Sequence, residues 1–381
     1  MQFKHIVGQQ AIKKRLIQTV KENRVSHAQL FLGPEGSGSL ALAVAYAQYL
    51  SCENRQPDDS CGECSSCRKY QKLIHPDLHF SYPFFAKDKN DTALTFMEQW
   101  REALLANPYL GMDTWRGYLN AENKQANINI AECHQIIKKL SLKPFESAYK
   151  ILILWLPEYL DKEGNALLKI IEEPQPNTLF LLVAQNQDQI LNTILSRTQL
   201  VKIAALTYED IKEELERNHH QTEFAAAEIA YLCNGNMTEA LNMLSEERDS
   251  YHSLFVQWLR LCFSNKGIEI MAFVEKVAKL GRENQKNFLR YGISFTRECC
   301  LLMAGAPSLV HLPPQELETA QRMTSVMNTA MAQAISTELE QAHYHVERNA
   351  NPKILFLDVS LQIIKVLSFK TLPQGTHYIP Y

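Results

Sequence analysis

HAQLFLGPEGSGSLALAVAYAQYL, residues 27–50, reads as three elements in a row. Residues 28–32 (AQLFL) form an apolar run of strand character, and GPEGSGS, residues 33–39, is a glycine loop. LALAVAYAQYL, residues 40–50, is a helix of small apolar residues. Strand, glycine loop and helix in this order let backbone N–H groups and a helix N-terminus face an anion. The stretch therefore opens the chain as an α/β domain with a P-loop layout.

Upstream, AIKKRLIQTVKE (residues 11–22) places Ile12, Leu16 and Val20 at helical spacing, which predicts a helix with one buried stripe. Downstream, ILILWL (151–156) and TLFLLVA (178–184) are continuous apolar runs of the kind found in strands buried on both faces. NALLKIIEEP between them is a helix stopped by Pro174, and QDQILNTILSRTQ after them is a turn and helix. Strands alternating with helices imply a parallel sheet covered on both faces. From His75 to Asn129 the signal is weaker, with YPFF, a helix over residues 97–105 and a polar loop, before a helix over 130–140. After residue 205 strand signals nearly vanish. YEDIKEELERN, EIAYLCNG and TEALNMLSEE read as a small helical domain, and longer amphipathic segments run on to about Ser368. The expected division is an α/β domain over residues 1–205, a helical lid over 206–248 and a helical domain over 249–381.

The length of 381 residues favours two or three domains over a single core. Hydrophobic residues make up 46% of the chain and charged residues 21%, a globular balance that disfavours disorder. No apolar run reaches the roughly 18 residues of a membrane helix, and MQFKHIVGQQAIKKRL lacks the apolar core of a secretion signal. A cytoplasmic protein without a membrane partner is expected. A net charge of −3 excludes the global basic excess behind independent, salt-sensitive nucleic-acid binding, so any DNA contact must be local or shared.

Four of the nine cysteines, Cys52, Cys61, Cys64 and Cys67, have the spacing C-x8-C-x2-C-x2-C. Four thiolates can close a tetrahedron around Zn²⁺ with no open position, which makes a structural site. The rival readings, a redox CxxC or unrelated surface thiols, fit two overlapping CxxC units on a polar insert less well. Cys133, Cys233, Cys262, Cys299 and Cys300 read as small buried hydrophobes.

The glycine loop has the glycines of a Walker A motif, Gly33, Gly36 and Gly38, without its chemistry. Ser39 stands where a lysine should reach the β- and γ-phosphates, and Leu40 replaces the hydroxyl residue that ligates Mg²⁺. Glu35 adds negative charge where a triphosphate needs the opposite. The loop reads as a tight turn kept for packing, with no ATP bound in its own site. The strand at 151–156 runs into Pro157 and Glu158 without the acidic pair that would hold Mg²⁺, and a lone Glu158 reads as a solvated loop carboxylate.

Taken together, HAQLFLGPEGSGS, CGECSSCRKY, HPDLHF, NALLKIIEEP and ILSRTQ resemble bacterial clamp-loader ATPases of the AAA+ class over residues 1–248, and ERNANPKILFLDVSLQI resembles their collar domain. Within that family, gamma or tau subunits keep an intact Walker A, whereas delta-prime-type members keep the fold, the zinc module and a Ser-Arg-Cys motif. Ser196-Arg197-Thr198 is similar to that motif with Thr for Cys. The resemblance implies that Arg197 is an arginine finger acting on a neighbour's ATP, against the plain alternative of a surface arginine in an ion pair. The family's lid arginine falls at Thr238 in Gly235-Asn236-Met237-Thr238-Glu239-Ala240-Leu241. The expectations are therefore a chain that catalyses nothing itself, with residues 249–381 as a collar and residues 81–129 as an insertion of unassigned task. Gamma or tau-type and delta-type subunits would be its partners, with the sliding clamp and primer-template DNA reached through the assembly. An active gamma or tau-like ATPase and a zinc-ribbon nucleic-acid-binding module are the alternatives.

Overall fold

The computed structural model describes residues 1–369 except 87, 89, 122–124, 245–248, 307, 308, 311 and 313. The chain divides into two units, residues 1–221 with 233–242, and residues 222–232 with 243 onward. The expected lid boundary at residue 248, parts of the insertion at 87, 89 and 122–124, and residues 370–381 of the expected collar lie outside the described residues.

In the first unit a five-stranded parallel sheet runs in the order β2 (Leu78–Ser81), β3 (Lys150–Trp155), β4 (Thr178–Ala184), β1 (Ala28–Leu32), β5 (Gln199–Lys202). Every residue of β3 and β4 is buried, as their unbroken apolar runs require of strands covered on both faces. The two edge strands escape a reading by pattern: β2 is four residues long and contains His79, and β5 buries only Val201. The strand expected over 151–156 ends at Trp155, because Leu156 turns into the left-handed region with φ of 53°. From there a 3₁₀ segment, Pro157–Leu167, leads into a short α7 (Leu168–Glu172) that stops ahead of Pro174. Thus NALLKIIEEP is helical, but only half of it is α-helix.

The covering helices are α1 (Gln10–Lys21), α2 (Ser39–Ser51), α3 (Ser65–Gln71), α4 (Met97–Ala106), α5 (Met112–Tyr118), α6 (Ile130–Leu140), α8 (Asn192–Leu195), α9 (Tyr208–Asn218) and α11 (Met237–Leu244). Helix α2 is buried along its whole length. The buried stripe of α1 holds Leu16 and Ile17, with Ile12 and Val20 half-buried beside them. It also takes in Lys13, whose ammonium is satisfied by the Ile6 carbonyl.

Much of the described part of the insertion, from Tyr82 to Trp115, packs into the same core as the sheet. Tyr82 stacks on Trp100 of α4 at 3.9 Å between ring centroids, while Trp115 of α5 and Trp155 at the end of β3 each meet Trp100 at 5.3 Å. The Trp115 indole N–H donates to the Pro83 carbonyl at 2.7 Å. Offset and edge-on aromatic pairs add about 0.5–1.5 kcal/mol each beyond burial, so this insertion is part of the domain's foundation.

The second unit is helical throughout its described residues. It comprises α10 (Glu223–Leu232), α12 (Asp249–Phe263), α13 (Gly267–Ala278), α14 (Arg282–Met303), α15 (Pro314–Thr324), α16 (Thr329–Glu347) and α17 (Pro352–Phe369). Its core centres on Phe255, Trp258, Phe273, Phe288 and Phe356, and the Trp258 indole N–H is satisfied by the Ser360 hydroxyl at 2.8 Å. None of the helices in the described residues is long and apolar enough to cross a membrane.

Asp77, in the turn before β2, ties that edge to the loop before β3. Its carboxylate accepts the backbone N–H groups of Phe145, Glu146 and Ser147 at 2.6, 2.7 and 2.8 Å. Burial opposes the charge, but these hydrogen bonds outweigh it and hold the carboxyl below its ordinary range. Such a group stabilises the fold above its unfolded pKa and loses that contribution as pH falls through the depressed folded value. Asp77→Asn is expected to cost about 1.5–3 kcal/mol at pH 7. In urea unfolding of the two proteins, that difference should begin to shrink as pH falls below about 4, where the unfolded carboxyl takes up its proton first, and go on shrinking until the folded one is protonated too.

Candidate functional site

Strand β1 delivers Gly33 to the carboxyl edge of the sheet, where its N–H donates to the Ala184 carbonyl of β4 at 3.1 Å. The loop then turns through Gly36 and Gly38, both at positive φ (71° and 84°), and Gly38 caps α2. Ser39 is buried, and its hydroxyl pairs with that of Ser37 at 2.8 Å. The Ser37 carbonyl accepts from the Gln9 amide at 3.1 Å. The two serine hydroxyls of the loop are thus engaged with each other, and the Ser37 N–H donates to the Pro34 carbonyl at 3.2 Å. Leu40 is buried in the core, as an apolar side chain at that position demands.

A small cavity of about 30 Å³ lies against this loop, room on the scale of a bound water and well below the size of a ligand pocket. Pro108, Tyr109 and Leu110 share its lining with Gly33–Leu40 residues and with Trp155 and Gln185. Tyr109 is buried, and its hydroxyl accepts the Val7 N–H at 2.8 Å. Thr238 donates its hydroxyl to the Tyr109 carbonyl, and the Met237 N–H donates to the Gly36 carbonyl at 3.1 Å. Beyond the loop, Glu158 is not solvated as its sequence context suggests. Its carboxylate accepts the N–H groups of Gln185 and Asn186 at 2.6 and 2.8 Å, and burial pushes its carboxyl up despite those bonds. It ties the end of β3 to the end of β4.

Arg197 follows α8, with Ser196 as the helix C-cap. Its Nε pairs with Glu172 at 3.0 Å, and Nη1 donates to the Thr193 carbonyl at 2.8 Å and the Ser196 hydroxyl at 3.3 Å. Nη2 has no partner among the described residues, and the side chain is 31% exposed. An ion pair this exposed contributes about 0–1 kcal/mol, so the guanidinium can turn to another anion at small cost.

Cys52, Cys61, Cys64 and Cys67 converge on one point, with their sulfurs all within 4.8 Å of one another. Cys52 to Cys61 is 3.6 Å and Cys61 to Cys67 is 3.9 Å, against the ~3.8 Å sulfur separation of a tetrahedral thiolate site with ~2.3 Å metal–sulfur bonds. Backbone N–H groups of Cys61, Cys64 and Cys67 point at the sulfurs of Cys52, Cys61 and Cys64 at 3.3–3.4 Å, which favours thiolates. Burial would raise the Cys61 thiol, yet the N–H groups of Glu63 and Cys64 bring it to about 7. The donor set fits a four-coordinate metal ion. Of the other cysteines, Cys133, Cys233, Cys262 and Cys299 are buried as expected, and Cys300 is half-buried.

The family model described as DNA polymerase III, delta subunit matches residues 8–207. The chain belongs to that family. The DNA polymerase III delta' subunit of Haemophilus influenzae is 31% identical over 191 residues, which is 50% of this chain and 46% of the relative. The tau subunit of Bacillus subtilis is 26% identical over 250 residues, 64% of this chain and 37% of the relative. The delta-family chain thus spans less than two thirds of the length of these curated relatives. Among solved structures, the Bacillus subtilis DNA clamp loader delta protein is 13% identical with a TM-score of 0.33, covering 93% of this chain and 99% of that one.

In this delta-family chain the structure brings Gly33, Gly36, Gly38, Ser39 and Thr238 into one neighbourhood, and the four cysteines into another. Sequence reasoning missed Tyr109, Gln9 and Asn236, whose side chains join them. Tyr109 lies in a polar, weakly patterned stretch, and its partner Thr238 is 129 residues away, so no local signal marks it. The cysteine module also holds the beginning of the chain. Asp59 accepts the N–H groups of Phe3 and Lys4 at 3.1 and 3.0 Å, and the Gln2 amide donates to the Ser60 carbonyl at 2.5 Å. The full chain should therefore take up one Co²⁺ with intense thiolate-to-cobalt absorption, which Cys64→Ser should largely remove. Chelation should speed amide exchange at Phe3 and Lys4 together with residues 52–67, while β3 and β4 stay protected.

Proposed function

We propose that the chain is a non-hydrolysing, delta-prime-type subunit of a DNA polymerase III clamp loader, in which Arg197 acts on ATP held by a neighbouring subunit. One observation carries the reading: Ser39, at the lysine position of the glycine loop, is buried and hydrogen-bonded to Ser37. With Leu40 in the core and Thr238 committed to Tyr109, three groups that would hold a nucleotide are turned to packing. The outward-facing group, Arg197, stays at the surface in a weak ion pair. A guanidinium suits that task because its planar fork bridges phosphate oxygens as charge builds on the transferring group. Structural Zn²⁺ at the four cysteines, an AAA+ domain, a helical collar and gamma or tau-type and delta-type partners belong to the same reading. The sliding clamp and primer-template DNA are then met through the assembly.

The matched tau subunit gives some weight to a second reading, an active gamma or tau-like ATPase, since that alignment is longer than the delta' one. Ser39 and Leu40 weigh against it, because neither can replace the phosphate-binding lysine or the Mg²⁺-ligating hydroxyl.

Co-expression with the gamma or tau-type and delta-type subunits tests the proposal. Arg197→Ala should leave the assembly intact and reduce its clamp-stimulated ATPase only in part, since one interface among several loses an effect of roughly 10³ to 10⁵. Arg197→Lys should not restore it. A variant assembly that forms normally, hydrolyses ATP at the wild-type rate and loads clamps fully would refute the role of Arg197. Calorimetry of the isolated chain with ATP and Mg²⁺ should give no heat of binding, and a micromolar dissociation constant would instead support the active-ATPase reading.

A further inference from the structure

The loop of residues 107–111 joins α4 to α5, and its ends are fixed because Trp100 and Trp115 on those helices are fully buried. Its middle, Pro108 to Leu110, forms one wall of the P-loop cavity and narrows it. The Tyr109 ring rests on Gly38, close enough that a Cβ built on that glycine would sit 3.1 Å from the ring. That places an aromatic side chain at the N-terminus of α2, the position a phosphate takes in an open P-loop. On one side of the loop the Glu35 carboxylate lies against Gly111. On the other, Asn107 shapes the loop by accepting the Tyr109 N–H at 2.9 Å.

We propose that residues 107–111 are a built-in occupant of the P-loop cavity that fastens residues 233–242 to the glycine loop in place of a nucleotide. This inference rests on the reading that the site binds no ATP, and it assigns a task to the insertion. The fastening has three points. Thr238 holds the Tyr109 carbonyl, Met237 holds the Gly36 carbonyl, and Asn236 packs on Gly36 so closely that no side chain fits there. Tyr109 in turn reaches Val7 through its hydroxyl, so one residue joins the N-terminal segment, the glycine loop and α11. A nucleotide in a working P-loop changes identity with each cycle, and contacts made through it change too. An occupant that is part of the chain cannot leave or be hydrolysed, so α11 keeps a single placement on the loop. The glycines at 36 and 38 then serve close approach by Asn236 and Tyr109, which explains their retention where the phosphate-binding groups are gone.

Hydrogen exchange of the full-length chain, read by mass spectrometry with and without ATP and Mg²⁺, tests this. In the wild type, residues 34–38 and 233–242 should exchange at the same rate in both conditions. Thr238→Val, which keeps shape and removes the donor, should raise exchange at 233–242 by roughly fivefold. Tyr109→Ala should raise it at both segments by tenfold or more. Unchanged exchange in both folded variants, with no ATP effect on the wild type, overturns the occupant while leaving the non-binding reading intact. Protection of residues 34–38 by ATP in the wild type overturns the non-binding reading itself. If Tyr109→Ala does not fold, Thr238→Val alone decides.

Discussion

Helix α2 has no solvent face, and much of the first unit is arranged by that fact. A surface helix needs one apolar stripe, whereas this one is sealed on every side, which its run of alanines and small residues permits because neighbours can approach closely all round. The sheet covers one side, and the N-terminal segment, the cysteine module and the 81–129 insertion supply the rest of its enclosing core and polar contacts. Since α2 cannot shift without disturbing all of them, the glycine loop at its start is rigid whether or not anything binds there.

On the proposed reading, that rigidity lets the P-loop keep its shape without nucleotide chemistry. Family membership and the parallel sheet establish the framework, and within it the loop has become a structural corner. Its serines bond to each other, its glycines admit neighbouring side chains, and its carboxylate lies against the insertion. Arg197 sits under different constraints, between a four-residue helix and an edge strand, held by contacts weak enough to be exchanged.

Much of this could be read from the sequence wherever the physics is local. The strands at 28–32 and 178–184 and the helices at 130–140 and 208–218 are marked by unbroken apolar runs or clean helical spacing, and the structure places them there. The cysteine cluster was legible because its ligands lie within sixteen residues of one another. What stayed hidden depends on distance. β2 and β5 are strands only because β3 and β1 offer them edges, Glu158 is half-buried and hydrogen-bonded only because β4 ends beside it, and Tyr109 has no meaning until Thr238 and Val7 arrive.

The strand order has a consequence for biosynthesis. β1 is among the first elements made, yet both of its neighbours, β4 and β5, come from the far end of the domain. At ribosomal rates of roughly 5–20 residues per second, the stretch AQLFL spends on the order of ten seconds outside the exit tunnel with both edges bare. Such a segment is a template for unwanted pairing between nascent chains. The largely apolar α2 helix that follows the glycine loop has the same wait. Residues 28–51 are thus the part of this domain that stays without its strand partners until residue 202 has been added.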